Sequence, residues 1–216
     1  MFGVTKVSNA AFENYSVAGS ARFENISCTN RLTCSGSLEI DSSKLNDVIS
    51  SGTAHLTRSN AKTIRSSGSL EITDCGSIGS VKAAGSAEIS GCQEIDEIIA
   101  SGGFVLTASK VNRKAVLSGH EARISDSRIA DLECANRSVN ISNSSVGRIV
   151  VKPVFNTVSY LGWAISSANP PQTVELSGNN CRADSVVFND GIRDGIVILK
   201  DGALVGTVQG GRVVRE

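Results

Sequence analysis

Glu39, Glu71 and Glu88 each stand between two apolar residues in closely similar phrases, Leu-Glu-Ile at 38–40 and 70–72 and Ala-Glu-Ile at 87–89. His55 holds the same place in Ala-His-Leu at 54–56. If these phrases stack as neighbouring strands, Glu71 and Glu88 fall about 5 Å apart. Two carboxylates at such a separation could serve as acid and base on a glycan, as in retaining glycosidases. That role needs a cleft that desolvates one carboxyl and moves its pKa. A flat outward ladder offers no cleft. The three glutamates are therefore expected to form a solvated face, and the chain is expected not to be an enzyme.

The remaining reactive side chains point the same way. His55 and His120 lie about four repeats apart, too far to share a metal at ~4.8 Å per repeat. The six cysteines, Cys28, Cys34, Cys75, Cys92, Cys134 and Cys181, show no C-x-x-C spacing, so neither a zinc site nor a dithiol redox motif is expected. Cys75 and Cys92 fall in the same place of successive repeats, within disulfide reach. Without a sign of export, buried thiols filling a narrow corner are the expected state. Cys34 and Cys134 read alike. The Asp-Gly pairs at 190, 194 and 201 lack the spaced acidic ligands of a calcium loop and read as turns. No phosphate loop or nucleophile elbow is present. No metal and no cofactor are expected.

What positions these residues is a repeat. The aliphatic or aromatic residue closing each phrase recurs at Val7, Phe23, Ile40, Leu56, Ile72, Ile89, Leu106, Ile124 and Ile141, at intervals of 16 to 18 residues. Two residues earlier lies a second apolar position (Ala21, Leu38, Ala54, Leu70, Ala87, Phe104, Ala122, Val139). Three residues after the anchor lies a small one (Ser43, Ser59, Cys75, Cys92, Ser109, Ser127, Ser144), and a glycine precedes most phrases (Gly19, Gly36, Gly52, Gly68, Gly85, Gly102, Gly119). Further aliphatic positions follow, as at Ile78 and Val81 or Ile95 and Ile98.

Helical repeats need 30 residues or more, and leucine-rich repeats 20 or more. Alternation of period two within each short apolar pair is the strand signature. A period of 16 to 17 divides into three short sides. The expected fold is all-β: a single-stranded triangular β-solenoid, with a right-handed β-helix preferred because the six-residue phrases of left-handed helices are absent. Inward positions should stack into Ile/Leu/Val ladders. The glycine should supply backbone freedom at a turn. About nine coils over residues 1–152 make a rod of roughly 40 Å.

The pattern changes after Val151. Residues 153–172 hold Phe155, Tyr160 and Trp163, then Asn169-Pro170-Pro171. This segment is expected to be an aromatic cap over the open end plus a linker, and the three aromatics are candidate binding residues. Residues 173–216 carry further strand-like runs, which either continue or cap the solenoid.

Composition narrows the function classes. Twenty-one Lys and Arg balance 21 Asp and Glu, so no basic excess suits nucleic acid. Thirty-two serines and 21 glycines sit beside 40% apolar residues, which argues for a narrow packed core over disorder. No apolar run reaches transmembrane length. None of signal-peptide length opens the chain, so a cytoplasmic location is expected, with a non-classical export route left open.

The run Gly68-Ser-Leu-Glu-Ile-Thr-Asp-Cys-Gly-Ser-Ile-Gly-Ser-Val-Lys-Ala, and the terminal Gly202-Ala-Leu-Val-Gly-Thr-Val-Gln-Gly-Gly, resemble the bactofilins, bacterial polymer-forming cytoskeletal proteins built on a short-coil triangular β-solenoid. The resemblance is one of period and flavour. Here Gly-Ser dilutes the family's glycine-aliphatic phrases, and the 153–216 segment exceeds a short tail. It implies a self-assembling scaffold whose main partner is itself. The alternative is a surface-binding module, an adhesin or effector that meets another protein or a glycan.

Overall fold

Alternation decides the local structure. In Ala87–Ser90, Ala87 and Ile89 are buried while Glu88 is exposed. In Glu94–Ala100, Ile95, Ile98 and Ala100 are buried. Between Ile95 and Ile98 stand two residues that are not buried, so the period of two is broken once and the strand bends there. The partner strand Ser77–Ala83 behaves alike: Ile78 pairs with Ile95 and Ser80 with Glu97, while Gly79 is skipped. Each coil therefore has three sides: a four-residue strand, then the two parts of a bent seven-residue strand.

The computed structural model describes residues 4–154, 157–160, 163–166, 171–192 and 194–216, with side chains outside 155–170. The protein is all-β, 71% strand, and its parallel strands stack as a β-solenoid of about 11 turns. Each inner strand of the stack pairs with its equivalents one coil before and after, as Glu88 does with Glu71 and Val105. The core is a single column of stacked aliphatics inside the three sides, including Ile40, Leu56, Ile72, Ile89, Leu106, Ile124 and Ile141, all at or below 1% exposure.

Two corners carry different backbone demands. The glycine column does not chiefly supply left-handed conformation, because only Gly19 and Gly119 of its seven members have positive φ. Its reason is space: a Cβ on Gly85 would lie 2.5 Å from the carbonyl oxygen of Gly68, and one on Gly119 would lie 2.6 Å from that of Gly102. Left-handed conformation instead falls two residues after each anchor, at Asn9, Asn25, Ser42, Arg58, Asp74, Gly91, Ala108, Asp126 and Asn143. Asn, Asp and Gly tolerate that region best, and they make up six of these nine.

The small-residue column follows immediately. Ser59 Oγ accepts from Ser43 N (3.0 Å) and donates to Thr57 O (2.8 Å). Ser109, Ser127 and Ser144 repeat both bonds in their own coils. The hydroxyls thus satisfy corner N–H groups that the sheet ladder leaves over.

The C-terminal part continues the stack. Gln172–Ser177 pairs with residues 138–142, Arg182–Phe188 with Ser145–Val151, Gly195–Lys200 with Gln172–Ser177, and Leu204–Gln209 with Arg182–Phe188. That is why the coils exceed the nine expected over 1–152. Residues 153–171 are an insertion between two stacked coils. They include a separate antiparallel pair, Thr157–Tyr160 with Trp163–Ser166. The insertion leaves at the corner where the glycine column has ended: Asn136 pairs with Gly119, and there Arg128–Ser142 runs through the corner as one strand. The amide of Gln172 donates to Asn136 O (3.0 Å) and Lys152 O (2.8 Å), so the two ends of the insertion meet.

Candidate functional site

The glutamate column lies where the repeat places it, on the outer surface of the first side. Glu71 and Glu88 are register partners, and Glu39 pairs with His55. Cross-strand contacts hold four of the eight places from Arg22 to Asn140: the Arg22–Glu39 ion pair at 3.0 Å and His55 Nδ1 with Glu71 Oε2 at 2.8 Å, with both carboxylates about half exposed. Exposed pairs of this kind are worth little, about 0–1 kcal/mol. Glu88 has no ion-pair partner among the described residues.

Beside the column runs an open groove of about 470 Å³, lined by His55, Glu71, Glu88, Val105, His120 and Arg123 among others. Both histidines line it, at opposite ends. Gly103 also lines it. A Cβ on Gly103 would have no atom within 4 Å. Arg123 lines one end, held by two bonds to Glu121 at 2.9 and 3.0 Å. These bonds, with one from Asn140, keep the Glu121 carboxyl below its ordinary range. Among the described residues no group of three or more His, Cys, Asp or Glu could hold a metal.

The thiols are core. Cys75 and Cys92 replace serine in the hydroxyl column, are at most 2% exposed, and sit with their sulfurs 3.5 Å from the carbonyls of Thr73 and Ser90, the bond the serines make. The hydrogen bond between the two thiols, together with burial, pushes Cys92 up; the same bond pulls Cys75 down. Burial pushes Cys134 up to about 12.

Of the aromatic candidates, Phe155 lies outside the described residues. Tyr160 and Trp163 are cross-strand partners in the inserted antiparallel pair. They belong to an insertion between coils, and the last coil is formed by other residues.

Those other residues complete the picture of the ends. At the N-terminal end, Val4–Ser8 and Ala11–Val17 each pair on one edge only among the described residues. Their inward side chains, Val7, Phe12 and Tyr15, are only partly buried. Phe12, Tyr15 and Phe23 form a ring cluster with centroids 5.0 to 6.1 Å apart. At the C-terminal end, Leu204–Gln209 and Arg212–Arg215 likewise pair on one edge. Val205 and Val208 are half-covered, and Val213 is 42% exposed. Sequence reasoning missed these C-terminal residues as a surface, although their signal was present: Val205 and Val208 extend the same inward columns that begin with Phe12 and Tyr15.

Neither a protein-family model, nor a curated protein, nor a solved structure matches this chain. Among the described residues no helix is long and apolar enough to cross a membrane.

Proposed function

We propose that the protein is a non-enzymatic scaffold that assembles by stacking its solenoid ends, as the resemblance to bactofilins implies. One observation supports this above the rest: both terminal coils leave a strand edge unpaired and an apolar column uncovered among the described residues. Exposed edges of this kind are templates for another chain. Stacked head to tail in the existing register, Val205 of one copy meets Phe12 of the next and Val208 meets Tyr15. Gly210 then stands opposite Val17, where it leaves room. A head-to-tail contact repeated along the rod axis does not close on itself and yields filaments.

The test is light scattering with negative-stain microscopy on the wild type, Phe12→Lys and Val205→Lys. Wild type should grow in mass with concentration, and either variant should stay a single chain. If each variant stops at a dimer, the ends meet like to like. A wild type that stays monomeric at every concentration sinks the reading.

The groove beside the glutamate column favours a second reading, a binding surface for a polar ligand such as a glycan. Chemical-shift changes confined to residues around Gly103 on adding oligosaccharides would support it.

A further inference from the structure

The third side differs from the other two. One of its outward columns begins at the polar Ser16 and Thr33, ends at Gln209, and between them runs Ile49, Arg65, Lys82, Ile99, Val116, Glu133, Val150, Val187 in register. Five of these eight are aliphatic, each only half-buried. The neighbouring outward column carries Glu97, Lys114 and Asp131 beside Ile99, Val116 and Glu133. On the first side, the equivalent positions from Arg22 to Asn140 hold one aliphatic residue, Val105.

The order along this strip is self-complementary. Take a two-fold axis parallel to the strands, passing between the coils of Ile99 and Val116. It keeps each column opposite itself and reverses the coil order. Ile99 then faces Val116 of a second copy, Lys82 faces Glu133, Glu97 faces Lys114 and Ile49 faces Val187; the one mismatch sets Arg65 against Val150, where its aliphatic stem covers the valine and its charged head reaches solvent. Each match occurs twice. The other two-fold, parallel to the rod, sets Glu133 against Asp131 and Ile99 against Glu97, which juxtaposes like charges and buries a carboxylate on an aliphatic. We infer that the third side is a lateral contact surface for a second copy of this chain, running antiparallel with Ile99 and Val116 at its centre.

The strip spans eight coils, roughly 40 Å at the sheet spacing, and is about 10 Å wide. That is small for a specific interface, which usually buries about 800 Å² per partner. A single rod should therefore pair transiently. Rods stacked end to end repeat the contact and bind by avidity. The stability of the lateral contact in the assembled state thus rests on end-to-end stacking, whereas its geometry does not.

Cross-linking reads the geometry directly. Full-length Ile49→Cys and Val187→Cys are prepared separately, then mixed and treated with a short bismaleimide. The native cysteines are all buried and give little background. The mixture should yield a cross-linked dimer that neither variant yields alone, because like positions lie seven coils apart. Adding Ile99→Asp to both partners should abolish it while circular dichroism stays unchanged. No cross-link in the mixture, or one only within single variants, overturns the inference. Adding Phe12→Lys to both chains separates the two modes. Blocked ends with the cross-link retained show that lateral contact survives failure of stacking, and loss of the cross-link there refutes an independent lateral surface.

Discussion

Side chains at the corners do more specific work than those in the core. Gly85 faces the backbone carbonyl of Gly68 at a distance that excludes a methyl group. That carbonyl belongs to a fixed ladder and cannot yield cheaply. Gly85→Ala should therefore lower stability by about 2 kcal/mol, in the range of overpacked sites, and urea unfolding would measure it. The two cysteines behave oppositely. Their sulfurs repeat the bonds that Ser59 and Ser109 make. The double variant Cys75→Ser, Cys92→Ser restores an unbroken hydroxyl column and should unfold within about 1 kcal/mol of the wild type, one ordinary hydrogen bond. A loss of several kcal/mol would show that sulfur volume matters there.

Glu133 adds a pH-dependent contribution. Lys114 and Lys152 both bond its carboxylate, the latter at 2.7 Å, and hold its pKa below the ordinary range. A carboxyl depressed in the folded state contributes stability that is present above its unfolded pKa of about 4.3 and is lost as pH falls through the folded value. Glu133→Gln should thus be less stable than wild type at neutral pH, and the gap should narrow below about pH 4. Thermal melts across that window would show it. A gap independent of pH would assign the effect to packing.

Among the described strands, only the antiparallel pair within the insertion at 153–171 departs from the stack. Gln172 ties its two ends together through Asn136 and Lys152, and the strands on either side pair without it. Replacing residues 154–170 by a short Gly-Ser linker should leave the strand content unchanged. The melting temperature should move by only a few degrees, because each coil draws its stability from its stacked neighbours. Collapse of the fold would mean that the insertion is needed to nucleate the last coils. Tyr160 and Trp163, expected in an end cap, thus lie in an insertion two coils before the C-terminal end.

The molecule as a whole is a rod whose two ends differ in kind. Its N-terminal end is aromatic, with Phe12 and Tyr15. Its C-terminal end is aliphatic, with one exception: Arg215 pairs with Leu199 and takes the next place in that inward column. Stacking head to tail would set its guanidinium over Val7. A charge at an edge restrains strand addition, so Arg215 is expected to hold assembly in check. Arg215→Leu should shift the onset of filament growth to lower protein concentration, read by scattering. An unchanged or higher onset would mean that Arg215 does not oppose the junction.

The periodicity of Ile40, Leu56, Ile72 and Ile89 was enough to define a three-sided β-solenoid, its inward columns and the outward glutamates, because a parallel in-register stack makes sequence period and spatial neighbourhood the same thing. The small column at Ser43 to Ser144 was legible for the same reason. Three features required the tertiary structure. The 35-residue step from Ile141 to Leu176 hides the register, so only strand pairing revealed that 172–216 rejoins the stack. The glycine column announced a corner, but whether φ or space demanded it depended on the distance to the next coil. The self-complementary strip on the third side depended on which residues of the bent strand face outward. That bend shifts the inward–outward phase by one residue, a change no simple alternation rule locates.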